Sequence, residues 1–256
     1  MSRAMFGLHA PFTLSDKTIE KCIEANNGET GFHILVSEGI HDIEDTWDKY
    51  KKRPVERLQA LGILGSKTIL SHCVNLSEEE MDIIKDTDTM VVCNPESNMY
   101  SAAGCAPTID MYNRGILVGL GTDGYTSDML ETLRVSMLSQ RLKNKMPNIG
   151  WAESVGMLFK NNRRMCARYF DEPLGVLKAG AAADIIIMDY KPFTPFNAEN
   201  ADAHLMFGMS GRQCLTTVAN GKILMRNRQL LTVDENAINA KIAETAEKLW
   251  KNINEK

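Results

Sequence analysis

The sequence predicts an α/β fold in which strands and helices alternate to build a parallel sheet, followed by a smaller β-rich region. In the first 174 residues, apolar strand segments recur about every 20–40 residues, each followed by a helical pattern, as in a parallel sheet or barrel. From Gly175 the chain becomes rich in Gly and Ala and then in short β-type runs. An amphipathic stretch follows. We therefore predict three regions: residues 1–174, 175–232 and 233–256.

The first two predicted strands lead to polar side chains. One strand ends at His9, and Ser15 is placed to cap the helix that follows. The second strand, residues 32–36, leads to Glu38. Each unit is therefore a strand, a polar residue and a helix.

The third unit repeats this order after a long helical stretch. The stretch covers residues 43–61, and Pro54 is expected to divide it because proline does not continue a helix. The third strand, residues 68–73, contains His72 near its end. Residues 77–80 then have the pattern of a capping box at the start of a helix.

Two further strands complete the series. Residues 89–93 form the fourth predicted strand and lead to Asn94. Residues 116–120 form the fifth, whose unbroken apolar run is typical of a strand covered on both faces, and the chain then turns at Asp123.

Five polar strand ends suggest an active site. Each alone has a structural interpretation, since a histidine can bond a backbone carbonyl and Asn or Asp favours turns. Together they stand where barrel enzymes place their catalytic residues, at the C-terminal ends of parallel strands. The five residues are His9, Glu38, His72, Asn94 and Asp123.

Beyond these units, a helical stretch is predicted over residues 151–169, and the later patterns indicate a β-rich module. Residues 185–188 read as a strand, and Asn220-Gly221 between two β-type runs predicts a hairpin. The last stretch predicts an amphipathic helix whose buried side contains Ile238, Ile242 and Leu249.

Composition limits the classes of function. The net charge of −4, spread over interspersed side chains, indicates no nucleic-acid partner. The six cysteines include no C-x-x-C pair, which favours reduced thiols in a cytoplasmic protein. No apolar run approaches the roughly 18 residues that a membrane span needs, so no membrane partner is expected.

The ordered motifs resemble the amidohydrolase superfamily, in the branch of chlorohydrolases, guanine deaminase and adenosine-type deaminases. The segments that carry the resemblance are Leu8–Pro11, Ser37–Gly39, Ser71–Cys73, Asn94–Asn98, Gly121–Gly124, Leu174–Asp184, Gly211-Arg212 and Val218–Lys222. The resemblance implies part of a TIM-type (β/α)8 barrel, about strands 4–8, then the C-terminal part of a small β-sandwich and a terminal helix. It also implies a metal-dependent hydrolase acting on non-peptide C–N bonds of a purine-like heterocycle.

The resemblance assigns a role to each polar strand end. Asp123 would bind a divalent metal, zinc or iron, and accept a proton from water. Glu38 would be the proton shuttle, and His72 would polarise the substrate and serve as a weak candidate ligand. His9 and Asn94 would contact the substrate.

Two family features are absent from the sequence. No His-x-His pair occurs, so the chain is expected to begin near the fourth barrel strand and to leave sheet edges that need covering. Leu35 stands where the family has a metal-binding histidine, and His33 lies on the same strand face about 6–7 Å away, two residues earlier. We therefore expect this chain alone to retain little metal.

Three hypotheses remain open from the sequence. The chain is a hydrolase of this family, a non-catalytic binding module, or a half-enzyme completed by a chain that supplies the missing N-terminal half. A homo-oligomer is a further possible assembly.

Overall fold

The computed structural model describes residues 2–255, and five parallel strands form its first sheet. The strands are hydrogen-bonded in the order β1-β2-β3-β4-β5, which is also their order in the chain. Their bounds are β1 Phe6–Leu8, β2 Phe32–Val36, β3 Ile69–His72, β4 Met90–Cys93 and β5 Val118–Leu120. The predicted α/β fold with a parallel sheet is confirmed.

Helices connect these strands and continue after β5. They are α1 Asp16–Asn26, α2 Ile40–Tyr50, α3 Pro54–Ala60, α4 Glu78–Asp86, α5 Pro95–Tyr100, α6 Thr108–Asn113, α7 Met129–Asn144, α8 Trp151–Val155 and α9 Asn162–Cys166. A π-helical segment, Gly156–Asn161, joins α8 to α9.

The predicted helix boundaries follow from local chemistry. The side chain of Ser15 accepts a hydrogen bond from the amide of Thr18, and Ser77 and Glu80 form the expected capping box. The stretch before β3 is divided as predicted, because α2 ends before Lys51 (φ 53°) and α3 begins at Pro54.

A continuous apolar core lies between the sheet and the helices that follow its strands. On the sheet, Ile34 and Leu70 are fully buried, and Ile19, Leu58 and Ile84 meet them from the helices. Residues 116–120 are buried throughout, as expected for a strand covered on both faces. The apolar runs of the sequence therefore build the core.

One edge of the parallel sheet is covered by side-chain amides. Asn161 donates to the carbonyl of Val118 (2.8 Å). Asn162 accepts from the amide of Leu120 (3.0 Å) and donates to its carbonyl (2.9 Å). At β5 two asparagines thus complete backbone hydrogen bonds of this edge strand, which is one way of covering a sheet edge.

A second, antiparallel sheet occupies the β-rich region. Its strands, in the order β6-β7-β8-β9, are β6 Ile185–Met188, β7 Cys214–Ala219, β8 Lys222–Arg226 and β9 Gln229–Leu230. The predicted hairpin is confirmed, since β7 and β8 pair across Asn220 (φ 47°) and Gly221 (φ 76°). Two positive φ values in succession are characteristic of a type I′ turn.

The segment before β7 is tied to helix α7. It contains α10, Ala201–Ala203, and a π-helical turn, His204–Gly208. Arg134 donates to the carbonyls of Met206 and Met209, and Asp128 accepts from the amide of Gly211. These bonds anchor the chain leading into the antiparallel sheet against the parallel-sheet region.

The C-terminal helix, α11 Glu235–Asn254, differs from the prediction. It contains no buried residue, and Ile238, Ile242 and Leu249 are 43%, 59% and 54% exposed. The predicted buried side is wrong because an apolar helix face is buried only by a surface that packs on it, and residues 2–255 supply none here.

Within residues 2–255, no helix combines the length and the apolar composition that crossing a lipid bilayer requires.

Candidate active site

The candidate site lies at the edge of the parallel sheet where all five strands end. Because the strands run in one direction, residues that follow them share this edge. Four of these positions have left-handed backbone: Ser37 (φ 51°), His72 (φ 71°), Cys73 (φ 51°) and Asp123 (φ 52°). Such conformations are uncommon outside glycine and concentrate at functional sites, where the surrounding structure holds them in place.

His72 is the centre of the site. Its side chain is 2% exposed, and its Nε2 atom lies 3.7 Å from Glu38 Oε2 and 3.7 Å from Asp123 Oδ2. Its Nδ1 atom lies 2.8 Å from Asn98 Oδ1. Since an amide oxygen only accepts, Nδ1 carries the proton in this pairing, and Nε2 faces the two carboxylates. Both 3.7 Å separations exceed a hydrogen bond, so Nε2 faces the two carboxylates without bonding either of them directly.

Helix α5 holds both carboxylates through two serines. Ser97 Oγ donates to Asp123 Oδ2 at 2.6 Å, and Ser101, at the end of the helix, donates to Glu38 Oε1 at 3.1 Å. The two serines are four residues apart and therefore lie on one side of the helix. This spacing was visible in the sequence, but which carboxylates the serines would bond was not.

Asp123 is held as an anion. The Ser97 hydroxyl lowers the pKa of the Asp123 carboxyl, and partial burial opposes that effect. The amide of Gly124, at 2.6 Å from Oδ1, and the charges of His72 and His33 lower the pKa further. The carboxylate is therefore available as a proton acceptor at neutral pH.

A cavity of about 470 Å³ adjoins this cluster. His9 and Glu38 both line it, and Leu35 and Ser101 lie in the same wall. His9 Nδ1 also lies 2.9 Å from the hydroxyl of Thr13. The structure thus brings Glu38, His72 and Asp123 together, with His9 on the cavity that Glu38 borders.

Asn94 lies apart from the cavity wall. It is 5% exposed, and its Oδ1 atom lies 2.6 Å from where a side chain at Gly121 would begin. Glycine at 121 therefore lets β5 pass close to Asn94. Its substrate-binding role stays a prediction.

Buried Asp42 was missed by the sequence reasoning, although it lines the cavity. Its Oδ2 atom accepts from the amide of Ser37 at 2.6 Å, and burial raises the pKa of its carboxyl to about 6. The only sequence signal is its place in the first turn of α2, where an acidic residue commonly caps a helix.

The ligand set for a metal is incomplete in this part of the protein. Among residues 2–255, no three His, Cys, Asp or Glu side chains are grouped so that they could hold an ion. Asp123 and His72 remain candidates, whereas Leu35 offers no lone pair. His33 Nε2 lies 2.7 Å from Ser71 Oγ, and burial lowers the pKa of His33. Two candidates fall short of the three protein ligands that a catalytic zinc usually has.

Comparison with known proteins identifies relatives along most of the chain. A model of the amidohydrolase family matches residues 1–224. The 5-methylthioadenosine/S-adenosylhomocysteine deaminase of Desulfitobacterium hafniense is 33% identical over 237 residues, which are 91% of this chain and 54% of that protein. The 5'-deoxyadenosine deaminase of Methanobrevibacter smithii is 34% identical over 254 residues, 96% of this chain and 58% of that protein.

A solved structure shows the same fold. The zinc-bound adenosine deaminase from Xanthomonas campestris matches 96% of this chain and 57% of its own chain, with a TM-score of 0.86 and 22% identity. The chain thus spans little more than half the length of the relatives that it matches.

Proposed function

Because this chain belongs to the amidohydrolase family, we propose that it takes part in hydrolytic removal of an amino group from a purine-like heterocycle. The observation that carries the proposal is the position of His72 Nε2, 3.7 Å from both Glu38 and Asp123. Segments 121–129 and 207–212 also resemble the aminohydrolase SsnA, a further indication of C–N hydrolysis.

Asp123 and Glu38 handle the two proton transfers of this reaction. Water adds to the ring carbon that bears the amino group, and Asp123 accepts a proton from that water. Glu38, on the cavity wall, takes the second proton of that water as the C=O bond forms and passes it to the leaving nitrogen, so the C–N bond breaks and ammonia departs, and the proton on Asp123 goes to the adjacent ring nitrogen. His72 lies between both groups and polarises the carbon under attack.

A divalent metal, zinc or iron, would supply hydroxide near neutral pH in the complete family enzyme. The residues described here do not by themselves fit such a metal, since no three His, Cys, Asp or Glu side chains among residues 2–255 are grouped to hold an ion. We therefore assign no step to the metal, and the two proton transfers are derived from Asp123 and Glu38 alone.

A binding module without catalysis is the second candidate. Leu35 favours it, because this side chain lines the cavity at the family's ligand position and cannot coordinate a metal. The two candidates share the cavity and differ in whether ammonia is released.

Ammonia release from 5'-methylthioadenosine, with Zn²⁺ or Fe²⁺ supplied, tests the proposal. Glu38→Gln and Asp123→Asn should each lower the rate at least about 100-fold, whereas Glu44→Gln, on exposed α2 surface, should not. Leu35→His should raise zinc affinity. Unchanged rates in both carboxylate variants would contradict the assigned roles.

The same assay separates the alternatives. Ligand binding without ammonia release would support the binding module. Release only after a second chain is added would support the half-enzyme.

A further inference from the structure

Two exposed tyrosine rings meet beside the candidate site. Tyr100, the last residue of α5, is 80% exposed, and Tyr125 is 54% exposed. Their ring centroids are 5.4 Å apart and the ring planes are inclined by 43°. This is an aromatic pair with attractive geometry whose outer faces are open to solvent.

Both rings are attached to the segments that hold the two carboxylates. Tyr100 is the residue before Ser101, which donates a hydrogen bond to Glu38. It is three residues after Ser97, which donates a hydrogen bond to Asp123. Residues three and four apart share a side of a helix. Tyr125 is two residues after Asp123, so the Cα atoms of these residues are at most about 7 Å apart. The pair therefore belongs to chain segments that adjoin the site, and both rings lie outside the lining of the 470 Å³ cavity.

Other tyrosines of the chain have different partners. Arg57 stacks over the ring of Tyr50 at 3.6 Å, and the hydroxyl of Tyr190 lies 2.5 Å from His204. Tyr169 bonds the carbonyl of Lys67. Tyr100 and Tyr125 are instead paired with each other at the surface, which leaves aromatic area free for a ligand.

We infer that Tyr100 and Tyr125 form a stacking platform for the ring of the heterocyclic substrate. This inference rests on the proposed function. A planar purine-like ring gains affinity by covering an aromatic face, and a tyrosine loses little conformational freedom in doing so. The platform would present the ring from the side of α5, next to the cavity wall formed by Ser101 and Ala102. It recognises the ring itself and tolerates variation in the attached group.

Calorimetric binding of adenosine to the Glu38→Gln protein tests this inference without turnover. Tyr100→Leu and Tyr125→Leu, which keep apolar bulk and remove the ring, should each weaken binding roughly tenfold. Tyr100→Phe and Tyr125→Phe should bind like the parent because the stacking face remains. Phe193→Leu, at an 81% exposed aromatic in the connection after β6, is the matched control and should also bind like the parent.

The binding results separate a failure of the tyrosine platform from a failure of the proposed function. If the parent binds adenosine and both leucine variants bind it equally well, the platform is wrong and the proposed substrate class stands. If the parent does not bind adenosine, the substrate class fails and the platform fails with it. Unchanged thermal unfolding of the leucine variants, expected for exposed rings, shows that a loss of binding is local.

Discussion

The parallel sheet and the antiparallel sheet treat apolar strand residues in opposite ways. In β2, Ile34 and Val36 are fully buried. In β6, the consecutive residues Ile185, Ile186 and Ile187 are 37%, 58% and 52% exposed. The difference comes from what covers each strand, because helices pack against β2 and the described residues leave much of β6 open to solvent.

Charged side chains are likewise more buried in the parallel-sheet region than in the antiparallel sheet. In the parallel-sheet region Arg57 is 1% exposed and donates to Asp16 and to the carbonyls of Pro11 and Leu14. In the antiparallel sheet the pair Arg228–Asp189 is about half exposed on both sides, so solvent weakens it. The comparison indicates that most folding free energy resides in the parallel-sheet region, which also carries the candidate site.

The largest expected effect is on the free energy of unfolding, and it contrasts two isoleucines, one in each sheet. Ile34→Ala should lower the free energy of unfolding by about 2–5 kcal/mol, because it leaves a cavity in a closed core. Ile186→Ala, at 58% exposure, should lower it by less than about 1 kcal/mol. Urea unfolding of both variants measures the contrast. Equal losses would mean that a surface absent from residues 2–255 covers β6.

A smaller effect on the free energy of unfolding is expected from buried Asp42 as the pH changes. Burial raises its pKa from 3.8 to about 6, so its contribution to stability is fully present below pH 3.8 and is lost as pH rises through about 6. Between pH 4 and pH 7 the native protein should lose about 2–3 kcal/mol relative to Asp42→Asn.

Urea midpoints at both pH values check this sign. Asp189→Asn, at a half-exposed position in the antiparallel-sheet region, should follow the native pH dependence. Parallel profiles for the native protein and Asp42→Asn would show that Asp42 is more hydrated than its 2% exposure implies.

The smallest effect is expected on removal of helix α11. Deletion of residues 235–256 should change the free energy of unfolding of the parallel-sheet region by less than about 1 kcal/mol, because the helix contains no buried residue. Circular dichroism and urea unfolding of the shortened chain test this. A marked loss of stability would show that the apolar face of α11 is covered in solution.

Much of the fold could be predicted from local patterns. Unbroken apolar runs predicted the parallel strands, Ser15 and Ser77 predicted two helix starts, and Asn220-Gly221 predicted the hairpin. These signals work because each depends on residues close together in the chain. The buried side predicted for α11 failed because burial depends on a partner surface that the helix sequence does not specify.

The candidate site, too, was identified partly from the sequence and partly only from the structure. The polar strand ends His9, Glu38, His72, Asn94 and Asp123 were identified from the sequence alone, since a parallel sheet brings such positions to one edge. Their individual roles stay predictions. The contacts with Ser97, Asn98 and Ser101 came only from the structure.

The sequence by itself determined the order of strands and helices, the chemical groups at the strand ends and the absence of a lone pair at Leu35. Only the tertiary structure decided that His72 lies 3.7 Å from two carboxylates, that two asparagines cover the β5 edge, and that Tyr100 meets Tyr125. The physical reason is that propensity, capping and turn chemistry act over a few residues, whereas each of these contacts joins residues 25 or more positions apart through packing of the whole sheet.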